Sequence, residues 1–398
     1  MTEGLGRILE LATGFIYPNE VQIHWSILIV VYPYITGLVA GAFILASMVK
    51  VFNVTEVQKT YRLSLITALA FLIVAPLPLL LHLGHPLRSW EIFFTPNLSS
   101  AMAMFGFVYA WYLMLVLLLE IWFVYRKDMI QWSQTEKFPM NWIYKILSLF
   151  SKDVSDKALA FDKKAVKAIT LIGIPSAFIL HGYVGFIFGS IKANPWWSSV
   201  LIPIVFLFSA IVSGIALILL LYMILVPSRG GKIDMKCLDK IASFLLYAVI
   251  IDFSLESLDF LHRLYESEES IHILTEMVVN KLFSSLIIIQ ILLGMIVPLA
   301  TLISIKLLKF NAELRKLLYF ISAILIQVGI FATRWNVVLG GQMFSKSFRG
   351  LTTYKMELIG LEGLLTSIGL LILPFLLLAV LMKILPPWGK QNEGLLHQ

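Results

Sequence analysis

The chain has 398 residues, 59% of them hydrophobic and 14% charged, with a mean hydropathy of +0.88 and a formal net charge of +7. That balance excludes a water-soluble domain with a single anchor and points to an all-α integral membrane protein. The basic surplus fits topology and anionic lipid better than nucleic acid, because Lys163, Lys164 and Lys167 edge an apolar run and no aromatic-interleaved basic groove is visible.

In chain order, residues 1–21 lack the basic start and small-residue cleavage site of a secretory leader, and Leu5, Ile8 and Leu9 at helical spacing predict an interfacial segment. Apolar runs long enough to cross a hydrocarbon core of about 30 Å follow near 22–50, 61–83, 100–126, 166–191, 197–226, 238–263, 279–305, 315–335 and 357–385. They predict nine transmembrane helices: a first four-helix bundle over 22–191, a second over 197–335, and an outer loop, last helix and tail over 336–398. The polar insertion 127–165, with Trp132, Trp142, Tyr144 and Phe150 among Lys and Asp, reads as an amphipathic segment on the cytoplasmic surface. The connections after the first, third, fifth and seventh spans, with the tail, hold 22 of the 31 Lys and Arg residues. The positive-inside rule therefore sets the N-terminus outside and the C-terminus in the cytoplasm. Trp196 and Trp197 read as an outer aromatic belt. Gly37 and Gly41, at GxxxG spacing on the first span, are explained by close helix packing. The sole cysteine, Cys237, cannot by itself hold an iron–sulphur cluster.

The unusual chemistry starts in the sixth span, where Asp252, Glu256, Asp259 and Arg263 recur at spacings that put them on one helical face. Each ionisable group at membrane depth costs roughly 2.5–3.5 kcal/mol on insertion scales, so that face meets protein or water rather than lipid. With the topology above, further polar residues converge on the outer half: Glu20 and His24 four apart at the start of span one, His82, His85 and Arg88 after span two, and His181 and Tyr183 in span four. Arg334, Asn336, Gln342, Arg349, Glu357 and Glu362 join them from the end of span eight onward. Glu120, near the inner end of span three, reads first as snorkelling to the interface, with the end of a proton route as the alternative. Gln290 and Gln327 read as interhelical hydrogen bonds that could also extend a proton wire.

A carboxylate ladder reaching halfway into the membrane from such a cluster suits chemistry that moves protons together with electrons. A quinone requires two electrons, two protons, donors at both carbonyls and an apolar slot. Paired haems across the bilayer are excluded, since the inner half offers no histidine. A proton-coupled transporter would use the same carboxylates, but span three lacks the proline that would match Pro298 of span seven. A structural anchor for a reductase or hydrogenase would need no quinone.

Three segments resemble the NrfD/PsrC family of haem-free, quinone-reactive membrane subunits: HWSILIVVYPYITGLVAGAF (24–43), LLLHLGHPLRSWEIFFTPNLSSAMAMFGFVYAWY (79–112) and FATRWNVVLGGQMFSKSFRGLTTYKMELIGLEGLL (331–365). The last is similar to the hydrogenase-associated branch and, more closely, to the membrane subunit of the sulphite-reduction-associated complex. The resemblance implies two antiparallel four-helix bundles, a menaquinone site near the outer surface and an extracytoplasmic ferredoxin-like iron–sulphur subunit. Further membrane, cytochrome and cytoplasmic subunits of one complex in sulphur metabolism would accompany it. By carry-over, Glu20 and His24 match the first-helix quinone contacts, His181 a helix-end histidine, and Glu256 the glutamate of the second bundle's polar helix. This chain departs from the family pattern by placing His82 and His85 where many members have aspartate and arginine. The resulting expectation is a quinone head held by Glu20, His24, His181 and Tyr183, with protons carried by Asp252, Glu256 and Asp259. His82, His85, Arg263, Arg334 and Arg349 support the outer site, and the chain itself binds no metal, haem or cluster.

Overall fold

A computed structural model describes residues 13–97, 99, 103–266 and 270–388 of the chain. The expected interfacial helix built on Leu5, Ile8 and Leu9 falls outside the described residues. Within them, nine helices have the length and apolarity to cross a membrane: α1 (Ile27–Lys50), α2 (Thr55–His82), α3 (Gly106–Thr135), α4 (Asp156–Gly189), α5 (Ile202–Ser228), α6 (Met235–Tyr265), α7 (Ile271–Leu307), α8 (Ala312–Gln342) and α9 (Leu364–Ile384).

Side chains set several of the helix ends. Ser26 caps α1 by accepting from Leu28 N at 3.4 Å, and Asn311 caps α8 by accepting from Leu314 N at 2.8 Å. At the end of α5, Pro227 is followed by Gly230 at φ +75°, and Gly231 N donates back to Val226 O at 3.0 Å. Only glycine takes that left-handed turn without steric cost, so the PSRGGK segment reverses the chain there.

Helices α1–α4 pack mainly on one another, as do α5–α8, giving the two expected bundles. The bundles join through α1 and α5, which pack along much of their length, and through α4 on α5; α9 lies outside, against α2 and α1. Helix α1 is therefore walled on nearly all sides, and its residues from Ile27 to Val49 are almost all buried. In lipid, such closeness comes from shape rather than from expulsion of water, and small residues permit it. A Cβ on Gly41 would lie 2.7 Å from Gly214 Cα of α5 and closer still to the Ala210 carbonyl. Gly41→Val should thus force α1 and α5 apart and destabilise the protein by about 1–3 kcal/mol. Thermal unfolding of the purified variant in detergent checks this, and an unchanged midpoint would show that the crossing tolerates bulk.

Helices α3 and α7, third in their respective bundles, both contain π-helical stretches, Trp111–Leu118 and Val278–Ile296. The two stretches give the bundles a matched irregularity that proline content alone did not show. The insertion 127–165 is more regular than the sequence suggests: α3 continues to Thr135, a short helix spans Met140–Leu147, and α4 begins at Asp156. Trp142, Ile146 and Phe150 of this segment are exposed, as an amphipathic surface segment requires, while Tyr144 is buried and donates to Ile384 O at 2.8 Å, tying the segment to the end of α9.

The opposite face, which carries the N-terminal segment, is closed by a plug. Strand β1 (Thr13–Gly14) pairs antiparallel with β2 (Gly350–Leu351), so the chain start is stitched to the loop between α8 and α9. Trp196 and Trp197 belong to this plug and not to a lipid-facing belt. Both are buried, and their indole N–H groups donate to Asn336 O (2.9 Å) and Val337 O (2.6 Å) of α8.

Candidate functional site

The bundles meet around one fully buried arginine. Arg334 lies inside α8, eight residues before Gln342 and so about 12 Å below that helix end. Its Nη2 donates to Ser209 Oγ (2.6 Å) and Phe206 O (3.3 Å) of α5 and lies 3.2 Å from His181 Nε2 of α4. The guanidinium stands 4.1 Å over the Phe206 ring. His181 is itself fully buried, with its Nδ1 3.4 Å from Thr36 Oγ1 of α1. Gly37 leaves room for the imidazole, since a Cβ there would sit 3.2 Å from His181 Cε1. Helices α1, α4, α5 and α8 thus converge on a single His–Arg pair.

Helix α6 brings the compensating charge. Asp252 and Glu256 both interact electrostatically with Arg334 and with each other. From Glu256 a hydrogen-bonded chain runs across α7 and α8: Gln290 Nε2 donates to Glu256 Oε2 at 2.8 Å, Asn336 Nδ2 to Gln290 Oε1 at 2.7 Å, and Ser285 Oγ to Asn336 Oδ1 at 2.6 Å. Gln290 sits within the π-helical stretch of α7. Four buried polar atoms in this cluster, Arg334 Nε and Nη1, Asp252 Oδ1 and Glu256 Oε1, have no hydrogen-bond partner among the described residues. Each such atom costs about 1–3 kcal/mol unless water, a proton or a ligand pairs it, so the protein groups alone do not close the cluster as they close a structural bridge.

The sixth-span stripe therefore faces protein, as its spacing predicts, but it splits into two parts with different chemistry. Asp252 and Glu256 belong to the network. Asp259 and Arg263 form a clamp: Arg263 Nη2 donates to Asp259, Ser199 Oγ donates to the same carboxylate, and Arg263 Nη1 donates to Trp196 O. The Arg263 guanidinium lies 5.2 Å from the Trp196 ring centroid. This clamp fixes the end of α6 to the 194–199 turn, and beside it Trp196, Phe260, Arg263, Leu274 and Val278 line a mostly apolar pocket of about 150 Å³.

Other residues expected at one outer site are dispersed. Glu20 and His24 do not share a helical face, because α1 starts only at Ile27 behind the Ser26 cap, while Pro18–Glu20 forms a separate 3₁₀ turn. Glu20 accepts from Ser345 Oγ (2.5 Å) and Lys346 N (3.0 Å), which locks the plug, whereas His24 is exposed. His82 Nδ1 pairs with Glu362 at 3.1 Å, and His85 is exposed. The Arg349 side chain is exposed, and its backbone makes the contacts: the carbonyl accepts from Phe15 N at 2.8 Å and the N–H donates to Ser347 Oγ at 3.3 Å. Arg334, expected as outer-site support at the end of span eight, lies fully buried within the core, because α8 runs on past residue 335. Gln327 ties α8 to α1 and α5, accepting from Tyr34 OH (2.7 Å) and donating to Ser213 O (2.6 Å), so it packs helices rather than extending the wire.

Tyr183 is half-buried, and its phenol, like that of Tyr109, lies close enough to Tyr32 to interact electrostatically, so α1, α3 and α4 each present a tyrosine to one region of the first bundle. Tyr109 OH donates to Leu72 O at 2.5 Å. Sequence reading missed Thr36, Ser209, Tyr32 and Tyr109. Small hydroxyls and tyrosines inside apolar runs carry no pattern of their own, and only the partners across the helix interface reveal them.

Comparison with known proteins places this arrangement. The family model described as "Polysulphide reductase, NrfD" matches residues 18–346. The chain belongs to the NrfD family. A selenate reductase subunit of Mesobacillus selenatarsenatis is 31% identical over 94% of this chain and 88% of its own length. The Hdr-like menaquinol oxidoreductase integral membrane subunit of Archaeoglobus fulgidus is 22% identical over 91% of this chain and 85% of its own. Protein NrfD of Escherichia coli is 26% identical over 49% and 58% respectively. With nine membrane-spanning helices and relatives named as reductase membrane subunits, this NrfD-family chain is a multi-pass membrane subunit of an oxidoreductase complex.

Proposed function

We propose that the chain is the quinone-reactive subunit of a respiratory complex. It exchanges electrons between menaquinol and an iron–sulphur subunit docked on the N-terminal face, which lies outside the cytoplasm. The observation that carries this reading is the Asp252–Glu256–Gln290–Asn336 network, a titratable path beside a buried His–Arg pair. The name of the Archaeoglobus relative specifies menaquinol, and that of the Mesobacillus relative a reductase of an oxyanion. These names support a place in sulphur or selenium oxyanion metabolism as part of the proposal, with cytochrome and cytoplasmic subunits completing the complex.

The residues fit a quinone head in the outer third of the first bundle. Tyr32, Tyr109 and Tyr183 lie near one another there, and His24, just before α1, is exposed; phenol and imidazole both donate to a carbonyl oxygen and accept a proton from a hydroxyl. When bound, menaquinol supplies two electrons and two protons. Tyr183 and His24 orient the head, while His181 and Arg334, closed in by α1, α4, α5 and α8, hold the electrostatics of the core. Glu256 and Asp252 receive and release protons, using their unpartnered oxygens.

A proton-coupled transporter would use the same carboxylates, and the matched π-helical stretches in α3 and α7 favour it as the second reading. Purification of the native complex separates the two. The expected result is co-purifying iron–sulphur protein, bound menaquinone, and inhibition of electron transfer by a menaquinone analogue added at the outer face. A chain that purifies without iron or quinone and moves protons with a solute would replace the quinone reading.

A further inference from the structure

The first bundle holds a second buried carboxylate, remote from Arg334. Glu120 lies in α3, two residues past the π-helical stretch Trp111–Leu118, and is fully enclosed; it does not snorkel. Its Oε1 accepts two hydrogen bonds, from Tyr61 OH of α2 at 3.0 Å and from Thr170 Oγ1 of α4 at 2.8 Å. Its Oε2 has no partner among the described residues. Tyr112 OH on α3, and Ser64 Oγ and Thr67 Oγ1 on α2, are likewise buried without partners.

A neighbouring pair shows what a structural carboxylate looks like in this bundle. Asp162 of α4 is closed on both oxygens by Arg126 of α3, at 2.7, 2.9 and 3.0 Å. Glu120 has no such cation in contact. The charged and titratable groups facing it are Lys50 at the end of α1, whose Nζ stands 4.5 Å from the Tyr61 ring centroid, Tyr61 itself and Tyr112. Arg62, next to Tyr61, is occupied by Asp128 at 2.6 Å, and Lys163 of α4 acts on Lys50. An ionised carboxylate left this way at membrane depth is costly, and a proton on Oε2 removes the cost.

The position supplies a direction. Lys50 and Tyr61 stand near the C-terminal-face ends of α1 and α2, so Glu120 is one side chain away from that surface, whereas Tyr112 lies eight residues earlier in α3, toward the membrane interior. We propose that Glu120 is a proton-binding site loaded from the C-terminal face past Lys50 and Tyr61, passing its proton inward along the Tyr112, Ser64 and Thr67 hydroxyls. Its occupancy is a property of the chain alone. The use made of the proton rests on the quinone reading above, in which it would draw protons from the face opposite the quinone.

Infrared titration of the purified complex tests the site without any turnover. Wild type should show a carboxylic-acid C=O absorption that titrates with pH, is absent in Glu120→Gln and is shifted in Tyr61→Phe, which removes one donor but keeps the fold. In proteoliposomes, proton uptake from the C-terminal face during quinol-linked turnover should fall about tenfold or more in Glu120→Gln and recover in part in Glu120→Asp. An infrared band unchanged in Glu120→Gln, or wild-type uptake in that variant, would overturn the proposal. If wild type itself shows no quinol-linked turnover, the quinone reading fails and the infrared titration alone decides the proton site.

Discussion

Replacing Arg334 by methionine should cost about 3–5 kcal/mol of stability, the range for removing one partner from a buried charged group. Among the described residues the guanidinium is the one cation interacting with both Asp252 and Glu256, and it also supports His181, Ser209 and the Phe206 carbonyl. Methionine matches the length of the stem but leaves the carboxylates uncompensated and a hydroxyl and a carbonyl without their donor. Arg334→Lys should recover part of that loss, because the contacts to Ser209, the Phe206 carbonyl and His181 are all made through one nitrogen, Nη2, although an ammonium cannot lay a planar group over the Phe206 ring. The measurement is complex yield and thermal unfolding in detergent. The triple variant Arg334→Met, Asp252→Asn, Glu256→Gln supplies the control: it removes the charge imbalance and should recover most of the stability while remaining inactive. If Arg334→Met alone unfolds like wild type, the carboxylates are neutral in the resting protein and the arginine is not their counter-charge.

The fold was legible because lipid leaves the chain so few choices. Every backbone polar group must be satisfied within the membrane, so an apolar run of sufficient length is a helix, and nine runs give the nine helices observed. The orientation of the Asp252–Arg263 stripe was legible for the same reason, since charge on a lipid-facing surface is too costly. Partnership was not legible. Spacing places Asp259 beside Glu256, yet only the fold shows that Ser199 and Trp196 capture Asp259 and Arg263 while Gln290 captures Glu256. Arg334, at the end of the eighth apolar run, reads as support for an outer site, whereas the helix runs on through Val338 beneath the tryptophan plug and leaves the arginine buried. Glu20 and His24 looked like a helical pair because four-residue spacing invites that reading, although the serine cap at residue 26 postpones the helix. Glu120 was misread for a related reason: closeness to a helix end in sequence does not tell whether the end is wet, and here α2 and α4 close over it.

Glu256→Gln should lower quinol-linked turnover by roughly 10²- to 10⁴-fold, the usual worth of a positioned acid or base, and leave assembly intact. The substitution is close to isosteric, and the new amide oxygen can still accept from Gln290 Nε2, so the chain through Asn336 to Ser285 keeps its geometry. What is lost is the titratable oxygen, which in wild type has no hydrogen-bond partner and is free to take a proton. Asp252→Asn should have the same direction of effect, because its unpartnered Oδ1 lies one helical turn further into the membrane on the same face. The two losses should not add when combined, since groups that act in series on one proton are removed as a unit by either change. Steady-state turnover of the purified complex with a soluble menaquinol analogue measures this, with co-purifying partner subunits as the assembly check. Wild-type turnover in Glu256→Gln would take that carboxylate off the proton path and leave the buried network with the structural role that the Asp259–Arg263 clamp already has.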